Sequence, residues 1–213
     1  MFPLQLQSII PKPLEGLYGV ESIWGKRLEL AAGSSYLIKA ASGKGKSTLL
    51  AYLMGLRSDY FGELLLDGKP IQQFSPSEIA VLRANEIAYL PQDLRLFVHL
   101  TALENIQLTG QVSETCSKVE MLSLAAQLGI AEKMNSPCGK LSFGQQQRVA
   151  LVRALCRPFK LLLLDEPFSH LDDDNIGIAK KLIEEAVEKN SATLLLTSLG
   201  SNFGFQFTQI LTV

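Results

Sequence analysis

Apolar and polar residues follow two patterns along this chain, and each pattern predicts a different kind of secondary structure. Short apolar runs bounded by turn residues predict strands at 35–39, 61–68, 86–90, 161–164 and 193–197. Apolar residues spaced three and four apart predict helices at 47–56, over most of 100–155 and at 175–189. Phe203, Phe205 and Phe207 alternate at period two, which predicts a last strand with one apolar face. Strands that alternate with helices indicate an α/β protein.

The order of these elements also predicts how the chain is divided. The run 161–164 is apolar throughout, as expected of a strand buried on both faces of a parallel sheet. We predict one domain over residues 1–213, with a core of mixed and parallel sheet at about 1–95 and 156–213. An antiparallel β part is predicted near the N-terminus, and a helical insert at about 96–155.

Composition and charge narrow the classes of protein. The 213 residues are 47% hydrophobic and 19% charged, and the net charge is -1. This balance excludes the strong positive field of a protein that binds nucleic acid mainly through phosphates, so we expect no nucleic-acid partner. The three cysteines lack metal-ligand spacing, and the first residues lack the pattern of a secretory signal. We therefore expect reduced thiols in a cytoplasmic protein.

Residues 40–47, the phosphate loop, carry the first candidate chemistry. Their sequence, Ala-Ala-Ser-Gly-Lys-Gly-Lys-Ser, fits the pattern G-x-x-x-x-G-K-[ST] except that alanine occupies the first glycine position. Glycines let the backbone curl so that its N–H groups point at a triphosphate bound at the start of the following helix. Lys46 then reaches the β- and γ-phosphates, Ser47 offers a hydroxyl to Mg²⁺, and Lys44 adds positive charge. The alternative is a glycine-rich turn before an ordinary helix.

A second motif follows the buried strand 161–164. Asp165, at the end of that strand, is placed to hold Mg²⁺ directly or through water. Glu166 is then placed to orient or deprotonate an attacking water. Asp-Glu-Pro on its own also occurs as a turn that ends a strand. In combination with the phosphate loop, the motif indicates a site that hydrolyses a nucleotide.

Residues 141–148, the signature segment, connect the chain to a known family. Their sequence, Leu-Ser-Phe-Gly-Gln-Gln-Gln-Arg, resembles the LSGGQ signature of ATP-binding cassette (ABC) ATPases, which is followed by a basic residue. Tyr-Leu-Pro-Gln at 89–92 is similar to the Q-loop of that family, and Ser-His-Leu-Asp at 169–172 is similar to its D-loop. The segments 63–68 and 100–106 are similar to its connecting segments, so the resemblance covers nearly the whole chain.

The resemblance implies a P-loop NTPase core of the RecA-like type, with ATP and Mg²⁺ as cofactors. It implies that two cassettes, identical or different, pair head to tail around ATP, and that a separate transmembrane permease holds them at the cytoplasmic face of the membrane. The implied catalytic residues are Glu166, Gln92 and Lys46. The residues implied to bind nucleotide are Tyr18, Ser42, Gly43, Lys44, Gly45, Lys46, Ser47, Thr48, Ser142, Gly144, Gln145 and Asp172. Those implied to hold the metal are Ser47, Gln92 and Asp165.

Four residues qualify this expectation. Tyr18 and Trp24 compete for the place of the aromatic residue that stacks on adenine in this family. Phe143 replaces the first signature glycine, which is the more variable of the two in the family, so we expect it to be tolerated. Ser198 stands where the family has a switch histidine, and this predicts ATP binding with slow hydrolysis.

Several functions remain open at this point. The leading one is the ATP-hydrolysing subunit of a membrane transporter. The first alternative is a cassette that drives a soluble or mechanical process, and the second is a nucleotide-binding regulatory subunit that barely hydrolyses ATP. A nucleotide kinase shares the phosphate loop but has no use for the signature segment, so it is disfavoured.

Overall fold

The computed structural model describes residues 3–41, 43–110 and 116–213. The strands among them are β1 (Leu4–Pro11), β2 (Arg27–Leu30), β3 (Ser35–Lys39), β4 (Tyr60–Leu66), β5 (Lys69–Pro70), β6 (Ile87–Leu90), β7 (Leu161–Asp165), β8 (Thr193–Ser198) and β9 (Gln209–Thr212). The helices are α1 (Lys46–Leu53), α2 (Pro76–Asn85), α3 (Ala102–Gly110), α4 (Lys118–Gln127), α5 (Phe143–Leu155) and α6 (Asp173–Asn190). Single 3₁₀ turns lie at Lys12–Leu14, Ile71–Gln73, Ala131–Lys133 and Cys138–Lys140.

The larger sheet is parallel throughout and has the strand order β6-β7-β8-β3-β9. Every residue of β7 and β8 is buried, which confirms the parallel strand predicted from the apolar run at 161–164. The carboxyl ends of parallel strands meet at one edge of a sheet, where α/β proteins bind ligands. Asp165 of β7 lies beside Thr197 of β8, and Lys39 of β3 lies beside Ser198. The phosphate loop and the Asp165 motif therefore share that edge.

The smaller sheet is antiparallel, has the order β2-β1-β4-β5, and confirms the antiparallel part predicted near the N-terminus. The register of β1 and β4 shifts between Gln7 and Ile10. Gly62 of β4 lies opposite this irregularity, where a Cβ would be 2.4 Å from the carbonyl oxygens of Gln7 and Ser8. Only glycine fits so close an approach of two backbones.

Alternate side chains of β7 pack into two separate apolar clusters. Leu163 belongs to the cluster that contains Leu50 of α1 and Leu64 of β4. Leu162 belongs to the cluster that contains Ile106 of α3 and Val152 of α5. Because successive residues of a strand face opposite sides, the parallel sheet separates α1 from the helices α3 to α5. These helices lie within the predicted insert, whose boundaries at 96 and 155 stay a prediction.

None of the helices in the described part of the chain combines the length and the apolar character that crossing a membrane requires.

The predicted last strand at 203–207 is wrong. Phe203 has a positive φ of 50°, and the N–H of Phe205 donates a hydrogen bond to the carbonyl oxygen of Asn202, so the chain turns here. The ring of Phe203 packs edge-on against Phe168, with centroids 4.7 Å apart. The period-two spacing of the phenylalanines therefore reflects an aromatic cluster, and the last strand is β9, which follows it.

Candidate active site

The phosphate loop runs from the end of β3 into α1 and is curled by two glycines. Gly43 and Gly45 have φ values of +77° and +104°, which residues with a side chain rarely adopt. A Cβ on Gly45 would also lie 2.8 Å from Leu14 Cδ1 and 3.0 Å from Trp24 Cζ2, so these side chains would have to shift to admit it. A Cβ on Gly43 would have no heavy atom within 4 Å among the residues described. Ser42, predicted to bind nucleotide, lies outside the described residues.

Lys46 directs its side chain back into the phosphate loop. The residue begins α1, and its side chain is 5% exposed. Its ammonium donates hydrogen bonds to the carbonyl oxygens of Ala40 (2.8 Å) and Ala41 (3.3 Å). Nζ also lies 3.3 Å from Oε1 of Glu166. A shielded positive charge at the start of a helix is suited to binding an anion.

Glu166 joins Lys46 to Gln92, the third residue predicted to be catalytic. Oε2 of Glu166 accepts a hydrogen bond from Nε2 of Gln92 at 3.4 Å. The backbone of Glu166 has a φ of 49°, in the left-handed region that residues with a side chain seldom adopt. Strain of this kind costs about 1–3 kcal/mol and persists only where surrounding contacts impose it. The structure thus brings Lys46, Gln92 and Glu166 together at the carboxyl edge of the parallel sheet.

Thr197, at the end of β8, belongs to the site although no role is predicted for it. Its buried hydroxyl donates a hydrogen bond to Oδ1 of Asp165 at 2.7 Å and accepts one from the N–H of Glu166 at 3.0 Å. One side chain therefore fixes both acidic residues of the motif. The signal in the sequence is a polar residue at the end of an apolar strand, where a buried hydroxyl needs a partner.

A cleft of about 320 Å³ is lined by the three residues predicted to hold the metal, Ser47, Gln92 and Asp165. Tyr89 lines it as well, and burial together with the negative charge of Asp165 raises the pKa of Tyr89 to about 12. A hydroxyl, an amide oxygen and one carboxylate suit Mg²⁺, which retains several waters and needs few protein ligands. Among residues 3–41, 43–110 and 116–213, no three His, Cys, Asp or Glu side chains lie close enough together to hold a metal ion elsewhere.

A second cleft, of about 250 Å³, also borders the phosphate loop and is lined by Tyr18 and Lys44. Trp24 is 2% exposed and packs beneath Gly45, so it offers no face to a ligand. Of the two aromatic candidates, Tyr18 is the one placed at a cleft. Thr48 is half-buried in the first turn of α1.

The signature segment starts α5, and its polar side chains cap that helix. Oγ of Ser142 accepts a hydrogen bond from the N–H of Gln145 (3.3 Å), and Oε1 of Gln145 accepts one from the N–H of Ser142 (3.0 Å). Gly144 is packed so closely that a Cβ would lie 2.8 Å from the carbonyl oxygen of His170. Neither of the two clefts at the phosphate loop has Ser142, Gly144 or Gln145 in its described lining.

Asp172 caps the following helix, α6. One of its carboxylate oxygens, Oδ1, accepts hydrogen bonds from the backbone N–H (2.8 Å) and the side-chain amide (2.7 Å) of Asn175. These hydrogen bonds, the backbone one first, hold the pKa of Asp172 below its usual range. The structure therefore gives Asp172 a capping role within its own chain, apart from the Lys46 cluster.

Gln147 is a second residue beside the site to which no motif assigns a role. It is 1% exposed, and its Nε2 donates a hydrogen bond to the carbonyl oxygen of Pro167 at 2.6 Å. A glutamine enclosed by the apolar residues of α5 is the signal that could reveal it, because a buried amide requires partners.

Comparison with known proteins relates this site to a family. The sequence profile of the family described as ABC transporter matches residues 25–169. An uncharacterized ABC transporter ATP-binding protein of Mycobacterium tuberculosis is 34% identical over 200 residues, which are 92% of this chain and 61% of that protein. The lipoprotein-releasing system ATP-binding protein LolD of Bdellovibrio bacteriovorus is 31% identical over 199 residues, which are 92% of this chain and 90% of LolD. The chain thus spans about three fifths of the first relative and most of the second.

Solved structures agree with the sequence comparison. The dimeric structure of MJ0796, a bacterial ABC transporter cassette, matches with a TM-score of 0.82 and 25% identity, and covers 100% of this chain and 94% of the cassette. The post-hydrolysis structure of the same cassette, bound to ADP and Pi, matches with a TM-score of 0.81 and 25% identity. The likeness therefore extends over both sheets and the helices between them.

Proposed function

Because this chain belongs to the ABC transporter family of ATP-binding cassettes, we propose that it hydrolyses ATP to power a membrane transporter. The observation that carries the proposal is the meeting of three side chains at one edge of the parallel sheet. Lys46 Nζ lies 3.3 Å from Glu166, and Gln92 Nε2 lies 3.4 Å from the same carboxylate. A cation, a carboxylate and an amide in contact are the groups that transfer of a phosphoryl group to water requires.

The proposed mechanism gives each of these side chains one task. Lys46 binds the β- and γ-phosphates, since its shielded ammonium lies at the start of α1. Glu166 accepts the proton of the attacking water, and Gln92 orients that water through its amide. Ser47, Gln92 and Asp165 would hold Mg²⁺, which when bound would supply positive charge beside the phosphates.

We infer that a second cassette, identical or different, completes the ATP site. Ser142 and Gly144 lie at the start of α5, and the N-terminal end of a helix attracts an anion. Because these residues do not line the clefts at their own phosphate loop, the phosphate they meet belongs to another chain. Head-to-tail pairing satisfies this condition, and the dimeric state of the cassette MJ0796 supports it. Tyr18 is then assigned to the adenine of its own site.

We further propose a transmembrane permease as the partner that carries the substrate. Phe97 and Val98 follow the Gln92 segment and are 61% and 48% exposed. The buried Asn105 holds this loop: Oδ1 accepts a hydrogen bond from the N–H of Phe97 (2.8 Å), and Nδ2 donates to the carbonyl oxygens of Phe97 and Thr101 (3.0 Å each). An apolar surface on a fixed loop beside a catalytic residue suits a segment of the permease at the cytoplasmic face of the membrane.

Ser198 favours a second candidate, a nucleotide-gated clamp with slow hydrolysis. The residue is 3% exposed, and its Oγ accepts a hydrogen bond from the N–H of Gly200 at 3.1 Å. A hydroxyl held in this way neither covers the distance that an imidazole spans nor carries its positive charge. Both candidates share ATP binding and pairing of cassettes, and they differ in the rate of turnover.

The experiment compares ATP binding and dimer formation in the natural protein and in two variants. Lys46→Ala should weaken ATP binding by about tenfold or more, because it removes a charge-assisted hydrogen bond worth about 1.5–3 kcal/mol. Glu166→Gln should keep ATP binding and trap an ATP-loaded dimer, because the proton acceptor is lost while the side-chain volume is kept. Calorimetric titration measures the affinity, and size-exclusion chromatography with Mg-ATP measures the dimer.

Glu29→Gln is the matched control, since it neutralises an exposed carboxylate on β2. It should bind ATP, and form the dimer, to the same extent as the natural protein. Unchanged ATP affinity in the Lys46→Ala protein would show that the phosphate loop has only a structural role. A Glu166→Gln protein that stays monomeric with Mg-ATP would contradict the pairing.

A further inference from the structure

Gln147 holds the carboxylate loop, residues 166–170, which follows β7. Its side chain lies in the second turn of α5 and is buried. Nε2 donates hydrogen bonds to the carbonyl oxygens of Pro167 (2.6 Å) and Glu166 (3.4 Å), and Oε1 accepts one from the N–H of His170 (3.2 Å). One side chain therefore contacts both ends of the carboxylate loop.

Two further contacts join the start of α5 to the carboxylate loop. The ring of Phe143 packs edge-on against the imidazole of His170, with centroids 4.3 Å apart and an interplanar angle of 67°. Gly144 lies where a Cβ would be 2.8 Å from the carbonyl oxygen of His170. The start of α5 and the carboxylate loop are thus packed too closely to move independently.

These contacts matter because of the backbone conformation of Glu166. Its φ of 49° is one that surrounding contacts must impose. Thr197 holds the N–H of Glu166 from β8, and Gln147 reaches its carbonyl oxygen from α5. In this conformation the carboxylate contacts Lys46 and Gln92.

We propose that Gln147 is a positioning residue of the hydrolytic site, which keeps Glu166 in its left-handed conformation and makes the direction of the carboxylate depend on the start of α5. This inference rests on the proposed function, in which Glu166 acts on water and the start of α5 meets the nucleotide of the second cassette. Loss of Gln147 misplaces the carboxylate of Glu166 and leaves the phosphate loop intact.

The test is Gln147→Leu, with Gln146→Leu as the matched control. Gln146 is its neighbour on α5 and also donates two hydrogen bonds to carbonyl oxygens, those of Cys138 (3.0 Å) and Leu141 (3.1 Å), which lie outside the carboxylate loop. We expect Gln147→Leu to lower kcat by about ten- to a hundredfold, the effect of a small misplacement of a catalytic group, with ATP affinity changed by less than about twofold. Gln146→Leu should keep kcat within about threefold of the natural value.

A double-substitution cycle separates positioning from a general loss of structure. In a Glu166→Gln background, Gln147→Leu should slow the residual hydrolysis no further, because it acts through Glu166. Equal kcat in the two leucine variants, or a further loss in that background, would overturn the proposal. If the leucine variant does not fold, Gln147→Met removes the same hydrogen bonds with an unbranched side chain and is judged by the same criteria.

The proposed function fails in a different way. ATP turnover by the natural protein that Glu166→Gln leaves unchanged contradicts the hydrolytic role of that carboxylate. Turnover that depends on Glu166 but not on Gln147 contradicts the positioning role alone.

Discussion

Of the two glycines of the phosphate loop, Gly45 is the more tightly enclosed. Its φ is +104°, and a Cβ would lie 2.8 Å from Leu14 Cδ1 and 3.0 Å from Trp24 Cζ2. We predict that Gly45→Ala lowers ATP affinity by more than about tenfold, because a left-handed backbone with a side chain costs about 1–2 kcal/mol before the clash is counted. Calorimetric titration with Mg-ATP measures the effect.

Gly43→Ala is the matched control for this prediction. Its φ of +77° carries a similar backbone cost, but no described heavy atom lies within 4 Å of the Cβ position. It should therefore lower the affinity less than Gly45→Ala does, since only the cost of the backbone conformation applies. Equal losses of ATP affinity in Gly45→Ala and Gly43→Ala would show that the side chains of Leu14 and Trp24 move aside. The enclosure of Gly45 would then have no effect on ATP binding.

The sequence predicts a site residue when its role depends on its neighbours along the chain. Lys46 lies within a motif whose spacing states its chemistry, and the structure places it in contact with Glu166. Thr197 acts on Asp165, 32 residues away, and Gln147 acts on His170, 23 residues away. No local pattern encodes such contacts, because they exist only once the strands and α5 have packed together.

The loop before α3 is the element that we assign to the permease. Asn105 holds its backbone, and Phe97 and Val98 are exposed. We predict that the double substitution Phe97→Asp with Val98→Asp abolishes copurification with the membrane fraction while ATP affinity stays within about twofold, because charges on the contact surface oppose desolvation there. Fractionation of cell extracts measures the first effect and nucleotide titration the second.

The control for this prediction is Val81→Asp, which changes an equally exposed apolar residue of α2, 58% accessible, away from that loop. It should leave membrane recovery unchanged. Recovery of the double variant in the membrane fraction at the level of the control would remove this loop from the contact with the permease.

Elements with a strong burial pattern are predictable, and those without one are not. β7 is buried at every position, and its apolar run predicts it. Helix α2 buries no residue completely, so it has no apolar period, although Ser75 and Glu78 form a capping box at its start. The phenylalanines near the C-terminus are the opposite case, in which a pattern predicts an element that does not form. Their spacing is that of a strand, but their rings pack as a cluster around Phe168.

At the scale of the molecule, the parallel sheet keeps the two ends of the proposed ATP site apart. Leu163 packs on the side of α1, and Leu162 packs on the side of α5. In the proposed pair, the start of α5 and the phosphate loop therefore need a second chain to form one site, whereas Gln147 still links α5 to Glu166 of its own chain. The family resemblance implies this division, but the link between α5 and Glu166 depends on the packed structure.

The position of Ser198 in the fold predicts its effect on the rate of ATP hydrolysis. The residue ends β8 beside Lys39, the last residue before the phosphate loop, so it lies at the edge where the γ-phosphate would be cleaved. Its hydroxyl is bonded to the N–H of Gly200. A missing transition-state contact costs about 2.7–4 kcal/mol, or about 10²–10³ in rate, while the phosphate loop and the pairing surface are untouched. Binding and closure of the pair should therefore be normal, and hydrolysis should be slow.

We predict that the natural protein hydrolyses ATP at less than about 1 s⁻¹, and that Ser198→His raises kcat by about tenfold or more without tightening ATP binding. Leu199→His is the matched control, because it places an imidazole on the next residue, which is 63% exposed and outside β8. Steady-state assays at saturating Mg-ATP compare the three proteins, and adding Glu166→Gln to Ser198→His should abolish the gain in kcat.

Turnover well above 1 s⁻¹ in the natural protein, about the lower end of the common enzyme range, would mean that the pair hydrolyses ATP without an imidazole at this position. An equal gain in Leu199→His would mean that added positive charge, rather than its position at the end of β8, accelerates the reaction.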